Sequence, residues 1–270
     1  MKKGIRGHDV SAQGLENIVS RCRELQYSEL QLVLEKSVRD FEFGKYSEAY
    51  ALALKTQLDG LHVAVLGSYI NPSATNEAEL KAGMEKFKEK ILYAQILKPD
   101  VVGTETGFYG DKMSDESNNT EEAYQHLLKN MKELVSCAEK HNVTVGIEGV
   151  HCFVINTPAR MHRIVSDLNS DYVKVIFDPV NYLNINNYKD QDKIINDMFQ
   201  LLHDKIAVMH IKDFVVEDGS LKATRPGEGL LNYELIFENM KKYNIDIPLI
   251  AEEMPDEEAV SGFKNLEKWN

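Results

Sequence analysis

The strongest constraint on the fold is a rhythm. Eight short apolar runs alternate with eight longer amphipathic stretches along the chain. The short runs sit near 4–10, 30–35, 61–70, 100–105, 143–148, 172–178, 206–213 and 247–253. Between them lie stretches with apolar residues at helical spacing, near 12–25, 46–58, 76–97, 120–141, 157–168, 189–203, 232–243 and 257–268. Leu15, Ile18, Val19, Cys22 and Leu25 show the spacing in the first of these. Ser47 and Pro158 stand where a helix cap and a first helical residue belong. Strands separated by helices must pair in parallel, because a parallel strand needs a long crossover. Eight such units predict an α/β fold, a single (β/α)8 TIM-barrel domain spanning residues 1–270. The rival, an open doubly wound sheet, would show a G-x-G-x-x-G after its first strand. No such motif and no P-loop is present.

Composition narrows the function classes. Hydrophobic residues make up 43% and charged residues 27%, enough for a sizeable core. The net charge is −12, which argues against a dedicated nucleic-acid binder. The three cysteines, Cys22, Cys137 and Cys152, form no C-x-x-C pair, so neither a disulfide framework nor a cysteine zinc site is expected. No apolar run reaches the length of a membrane span. "MKKGIRGHDV" has no apolar segment behind its lysines, and the expectation is a cytoplasmic protein.

In a barrel, catalytic groups sit at the C-terminal ends of the strands. The fifth run ends in Glu148, the sixth in Asp178, the seventh in His210, and the eighth in Glu252 with Glu253 beside it. Successive positions are about one strand–helix unit apart, so the four lie on adjacent strands at one height. Three carboxylates and an imidazole converging on one mouth demand a cation or strongly displaced pKa values. Three oxygens and one nitrogen suit a single divalent ion: Mn²⁺, Mg²⁺, Co²⁺ or Zn²⁺. Strand alternation lets only one of Glu252 and Glu253 face the axis.

The stretches "GIEGVH", "IFDPVN", "MHIKD", "RPGEGLLNY" and "IPLIAEE", with the strand–helix rhythm, make the chain resemble the xylose isomerase-like barrel superfamily. More narrowly, it resembles the sugar phosphate isomerase/epimerase group, which includes ketose 3-epimerases, hydroxypyruvate isomerase and inosose dehydratase. The resemblance implies that Glu148, Asp178, His210 and Glu252 bind the metal. It also implies that Glu148 and Glu252 exchange protons with a sugar, ketose or sugar phosphate through a metal-stabilised enediolate. Isomerase and epimerase chemistry, and an inosose-type dehydration on the same site, all remain open at this stage. Apurinic endonucleases of the superfamily need histidines at the rims of strands three and four. Here those rims read "LGSYINP" and "VGTETGF". A non-catalytic sugar-binding barrel is a further alternative. The resemblance is compatible with a homo-oligomer without fixing its order.

One departure stands out. Many ketose epimerases carry a histidine three residues after the strand-six aspartate, where this chain has Asn181. His151, three after Glu148, is a candidate to supply an imidazole instead. Lys212, two after His210, would lie on the same side of the strand and meet a phosphate or a substrate oxygen. The resemblance gives Arg225 of "RPGEG" a substrate contact. Glu105, Tyr69, Asn71 and His8 follow other strands at the same rim and are candidate pocket residues.

Overall fold

A computed structural model of residues 1–270 shows how the runs close. Strands β1 (Lys2–Arg6), β2 (Glu29–Leu32), β3 (His62–Gly67), β4 (Val101–Glu105), β5 (Val145–Glu148), β6 (Val173–Phe177), β7 (Ile206–Ile211) and β10 (Pro248–Ala251) form one closed barrel. Its order is β1-β10-β7-β6-β5-β4-β3-β2, and every pairing is parallel. The outer ring comprises α1 (Leu15–Glu24), a single turn α2 (Leu34–Ser37), α3 (Glu48–Leu58), α4 (Glu77–Leu97), α5 (Glu121–Lys140), α6 (Pro158–Leu168), α7 (Gln191–Leu202), α8 (Tyr233–Lys242) and α9 (Asp256–Leu266).

The helices begin and end where local chemistry dictates. The Thr157 side chain accepts from the Arg160 amide at 3.2 Å, Pro158 fills the first turn, and Asn169 closes α6 in the left-handed region. Ser47 caps α3 in the same way through the Tyr50 amide. The apolar faces of the helices pack on the outer side of the strands in one cluster of 65 buried residues.

Inside the barrel, strand alternation does two jobs. One layer, including Val65, Val101, Ile176, Val208 and Ile250, plugs the interior. Two of its positions must be glycine. A Cβ on Gly146 would lie 2.7 Å from Val101 Cγ2 and 2.9 Å from its Cβ; one on Gly4 would meet the Glu29 carbonyl at 2.7 Å. Further along the strands, the same face reaches the mouth. There it delivers Arg6, Gln31, Glu105, Glu148, Asp178, His210 and Glu252. Thus the apolar layer fixes the height at which the polar layer appears.

The region after β7 differs from the single strand expected over 206–213. β7 ends at Ile211, and after Lys212 the chain enters an antiparallel hairpin, β8 (Asp213–Glu217) and β9 (Ser220–Thr224). Its two-residue turn is Asp218-Gly219, with φ values of 49° and 72°. Asp-Gly is the pairing that such a turn prefers. No helix is long and apolar enough to cross a membrane.

Candidate metal centre

Glu148 ends β5, Asp178 follows β6, His210 lies in β7 and Glu252 follows β10. Each offers a ligand atom within 4.8 Å of the others. All four are buried, with Asp178 and His210 fully so. Glu253 turns away: its φ is 59° and its side chain is 46% exposed, so Glu252 alone joins the cluster.

His210 is the hub. Its Nδ1 lies 3.2 Å from Glu148 Oε1 and 3.3 Å from Glu252 Oε2. Its Nε2 donates to Gln31 Oε1 at 2.6 Å, and Gln31 Nε2 donates to the Tyr69 hydroxyl at 2.7 Å. The Gln31 acceptor fixes a proton on Nε2, so Nδ1 is the nitrogen free to ligate. Asp178 Oδ1 accepts from the Val180 and Asn181 amides at 2.8 and 3.1 Å, which locks the carboxylate to the turn after β6. Its Oδ2 is buried with no well-directed hydrogen bond. Asn181 Nδ2 donates to Glu148 Oε1 at 2.8 Å.

The electrostatics follow from this crowding. Burial opposes charge on His210, but the carboxylates of Glu252 and Glu148 outweigh it and raise its pKa. Burial raises Asp178, with Lys212 opposing. Burial acts against Glu252 too, yet His210, Lys212 and Arg6 hold it well below the usual carboxylate range. Glu105, opposite Glu148 in register, is pushed up to about 8 by burial and by Glu148 and Glu252. The Lys212 ammonium sits 3.1 Å from Asp178 Oδ2, 2.7 Å from Glu252 Oε1 and 3.2 Å from Glu253.

The donor set fits a divalent cation. Three carboxylates and one imidazole nitrogen are the ligands that such ions take. A His210 Nδ1 facing two carboxylates, and an Asp178 Oδ2 whose one partner is the Lys212 ammonium, leave three negative groups around a space suited to a cation. A second group, Glu29, His62 and Asp100, lies at the N-terminal rim; there the imidazole pairs with Asp100 at 3.0 Å.

The other expected residues divide. Asn181, His151 and Lys212 line a cavity of about 430 Å³, with Phe214 and Leu221 of the hairpin; Asn181 and Lys212 join it to the cluster through Glu148, Asp178 and Glu252. His151 donates its backbone amide to the Asn181 carbonyl, and its ring Nδ1 is buried without a partner. Tyr69 acts through Gln31, and burial keeps its hydroxyl protonated. His8 is half-buried and held down to about 4, by burial and then by Arg6. Asn71 is occupied by the backbone of Phe108 and Ser73. Arg225 does not line the cavity. It is 40% exposed and pairs with Glu228 and Glu258 at 3.3 and 3.8 Å.

Three residues escape the reading of strand ends alone. Gln31 orients His210, Arg6 lies 3.6 Å from Glu252, and Asp213 secures the "RPGEG" loop. The Asp213 carboxylate accepts from the amides of Phe214, Gly227, Gly229 and Leu231. A polar residue at an inward position of an otherwise apolar strand, as in "LQLVLE", was the available signal for Gln31.

Comparison with known proteins points the same way. The sequence model of the family described as "Xylose isomerase-like TIM barrel" matches residues 19–269. No curated protein matches the chain. Among solved structures, a D-tagatose 3-epimerase-like protein superposes with a TM-score of 0.78 at 20% identity, over 100% of this chain and 97% of that one. The IolI protein with a bound zinc atom gives 0.77 at 18%, over 100% and 99%. The 3-keto-D-glucoside 4-epimerase YcjR from E. coli gives 0.76 at 13%, over 99% of each chain. At these identities the likeness is one of fold.

Proposed function

The chain belongs to the xylose isomerase-like TIM barrel family, and from that premise we propose that it is a divalent-metal-dependent isomerase or epimerase acting on a small sugar or polyol. The observation that carries the reading is the pair of buried glutamates, Glu148 and Glu252, flanking one imidazole nitrogen at 3.2 and 3.3 Å. The zinc recorded in the IolI structure and the sugar epimerases among the structural neighbours support it.

Glu148, Asp178, His210 and Glu252 would hold the cation. When bound, it supplies a Lewis acid for the negative charge that builds on a substrate carbonyl oxygen as the neighbouring carbon loses its proton. Glu148, held in place by Asn181, removes that proton. Glu252, paired with Lys212 at 2.7 Å and 3.6 Å from Arg6, would exchange a proton on the other side of the substrate. Tyr69 and Gln31 keep the imidazole ring in its orientation.

A second reading, an inosose-type dehydratase, draws on Glu105. Its carboxyl lies opposite Glu148 in register, where burial favours the protonated form that can donate to a departing hydroxyl.

The test is a proton-exchange screen. The protein is incubated with Mn²⁺ in D₂O and a panel of ketoses, inososes and their phosphates, followed by NMR. Metal-dependent deuterium incorporation beside the carbonyl is expected, slowed at least about 10²-fold in Glu148→Gln. Loss of water from the product would select the dehydratase. No exchange with any compound, or Glu148→Gln at the wild-type rate, would sink the proposal.

A further inference from the structure

The rim of the barrel carries two adjoining cavities rather than one. The first, about 430 Å³, opens over Lys212 and Asn181. One wall of it is apolar, built from Val180, Leu183, Ile185, Phe214 and Leu221. The second, about 470 Å³, lies across the loops after β4, β5 and β6. His151 and Asn184 line both, so the two adjoin at these residues, and we name them the two halves of a rim cleft. Either half alone reaches the lower range of a ligand pocket.

The second half has a distinctive chemistry. It is lined by the side chains of Asn119, Asn156, Asn184 and Asn186, with Ser114 and Asp115. The fold uses only part of these amides. Asn156 donates to Asn119 at 2.7 Å, and Asn184 Oδ1 accepts from the Asn186 amide at 2.8 Å. The Asn184 amino group and the whole Asn186 side-chain amide remain for a ligand, as does the buried, unpartnered Nδ1 of His151. Carboxamides present donors and acceptors without charge, which is what vicinal hydroxyls need.

A phosphate finds nothing comparable. Lys212 is the only Lys or Arg lining either half, and it is committed to Asp178, Glu252 and Glu253. Arg225 is paired with Glu228 and Glu258, and Arg6 with Asp9. The Asp115 carboxylate would repel an anion in the second half.

We propose that the substrate is an uncharged ketose carrying a second sugar ring. The reacting unit lies over Glu148, Asp178, His210 and Glu252, its C–H faces against Leu183 and Phe214, and the appended ring occupies the asparagine-lined half of the cleft. The assignment rests on the isomerase reading above and narrows its substrate class to neutral glycosides.

Calorimetric titration of the Mn²⁺-loaded protein tests it with matched probes. These are D-fructose, D-fructose 6-phosphate, and three disaccharides that carry a hexose on fructose at O3, O4 or O6: turanose, lactulose and isomaltulose. At least one disaccharide binds about tenfold or more tightly than both fructose and its phosphate. Asn186→Ala removes that advantage and leaves fructose binding unchanged; the double variant Asn184→Ala/Asn186→Ala also removes the advantage. Tightest binding by fructose 6-phosphate, or no disaccharide tighter than fructose, overturns the proposal. So does an advantage that survives both variants. Disaccharide binding without deuterium exchange would instead uphold the cleft and refute the isomerase reading.

Discussion

Gln31→Met offers a sharp test of how the metal centre is held. Gln31 is 1% exposed and sits between the Tyr69 hydroxyl and His210 Nε2. Methionine fills nearly the same volume but can neither accept from the imidazole nor donate to the tyrosine. Leaving the buried Nε2–H without an acceptor costs about 1–3 kcal/mol. The ring then loses its orientation, and removal of such an orienting partner weakens metal binding by about 10–100-fold. The effect shows in melting experiments. At a metal concentration near 100 times the wild-type Kd, binding stabilises the wild type by about 2.7 kcal/mol. A hundredfold weaker variant keeps only about 0.4 kcal/mol of that. For 270 residues the difference is roughly 4 °C of metal-induced Tm shift. Tyr69→Phe leaves the Gln31–His210 bond in place and is expected to lose much less. Equal metal-induced shifts in wild type and Gln31→Met, with the variant folded, would refute this account of the centre.

Two further perturbations probe the scaffold. Gly146→Ala drives a methyl group into Val101 inside the barrel plug, and a loss of about 1–3 kcal/mol in urea unfolding is expected; an unchanged midpoint would show that the layer is loosely packed. Asp256, at the start of α9, is held below its ordinary value: burial opposes this, but hydrogen bonds from Arg21 and Ser11 outweigh it. A lowered carboxylate pKa contributes stability that is fully present above the unfolded value, about 3.8, and is lost as pH falls through the folded value. Asp256→Asn is therefore expected to lose about 1–2 kcal/mol at pH 7, with the gap closing in acid below about pH 4; a gap independent of pH contradicts the assignment.

Much of the architecture was readable because three successive barrel strands carry an apolar plug residue followed two residues later on the same face by a polar one. Ile176 then Asp178, Val208 then His210, and Ile250 then Glu252 all show it in the chain. The hairpin after β7 was missed because its apolar alternation runs on from "IAVMHIKD" without a break, although Asp218-Gly219 marks its turn. Arg225 could not be placed from sequence, since its position depends on how Asp213 gathers the loop amides and on Glu258 of α9. Gln31 was hidden for another reason. "LQLVLE" shows an inward polar residue, but its partner His210 is set only once the barrel closes and brings β2 within reach of β7.

The central claim is that the barrel mouth is a metal centre built by Glu148, Asp178, His210 and Glu252. Its most direct test is elemental analysis. The protein is stripped with chelator, reloaded with Mn²⁺ or Zn²⁺, and desalted; the metal per chain is then measured for wild type, Asp178→Asn and His210→Ala. One tightly held ion per wild-type chain, lost in both variants while their circular dichroism stays native, is the predicted result. A wild type that retains no ion, or variants that retain it undiminished, would contradict the account.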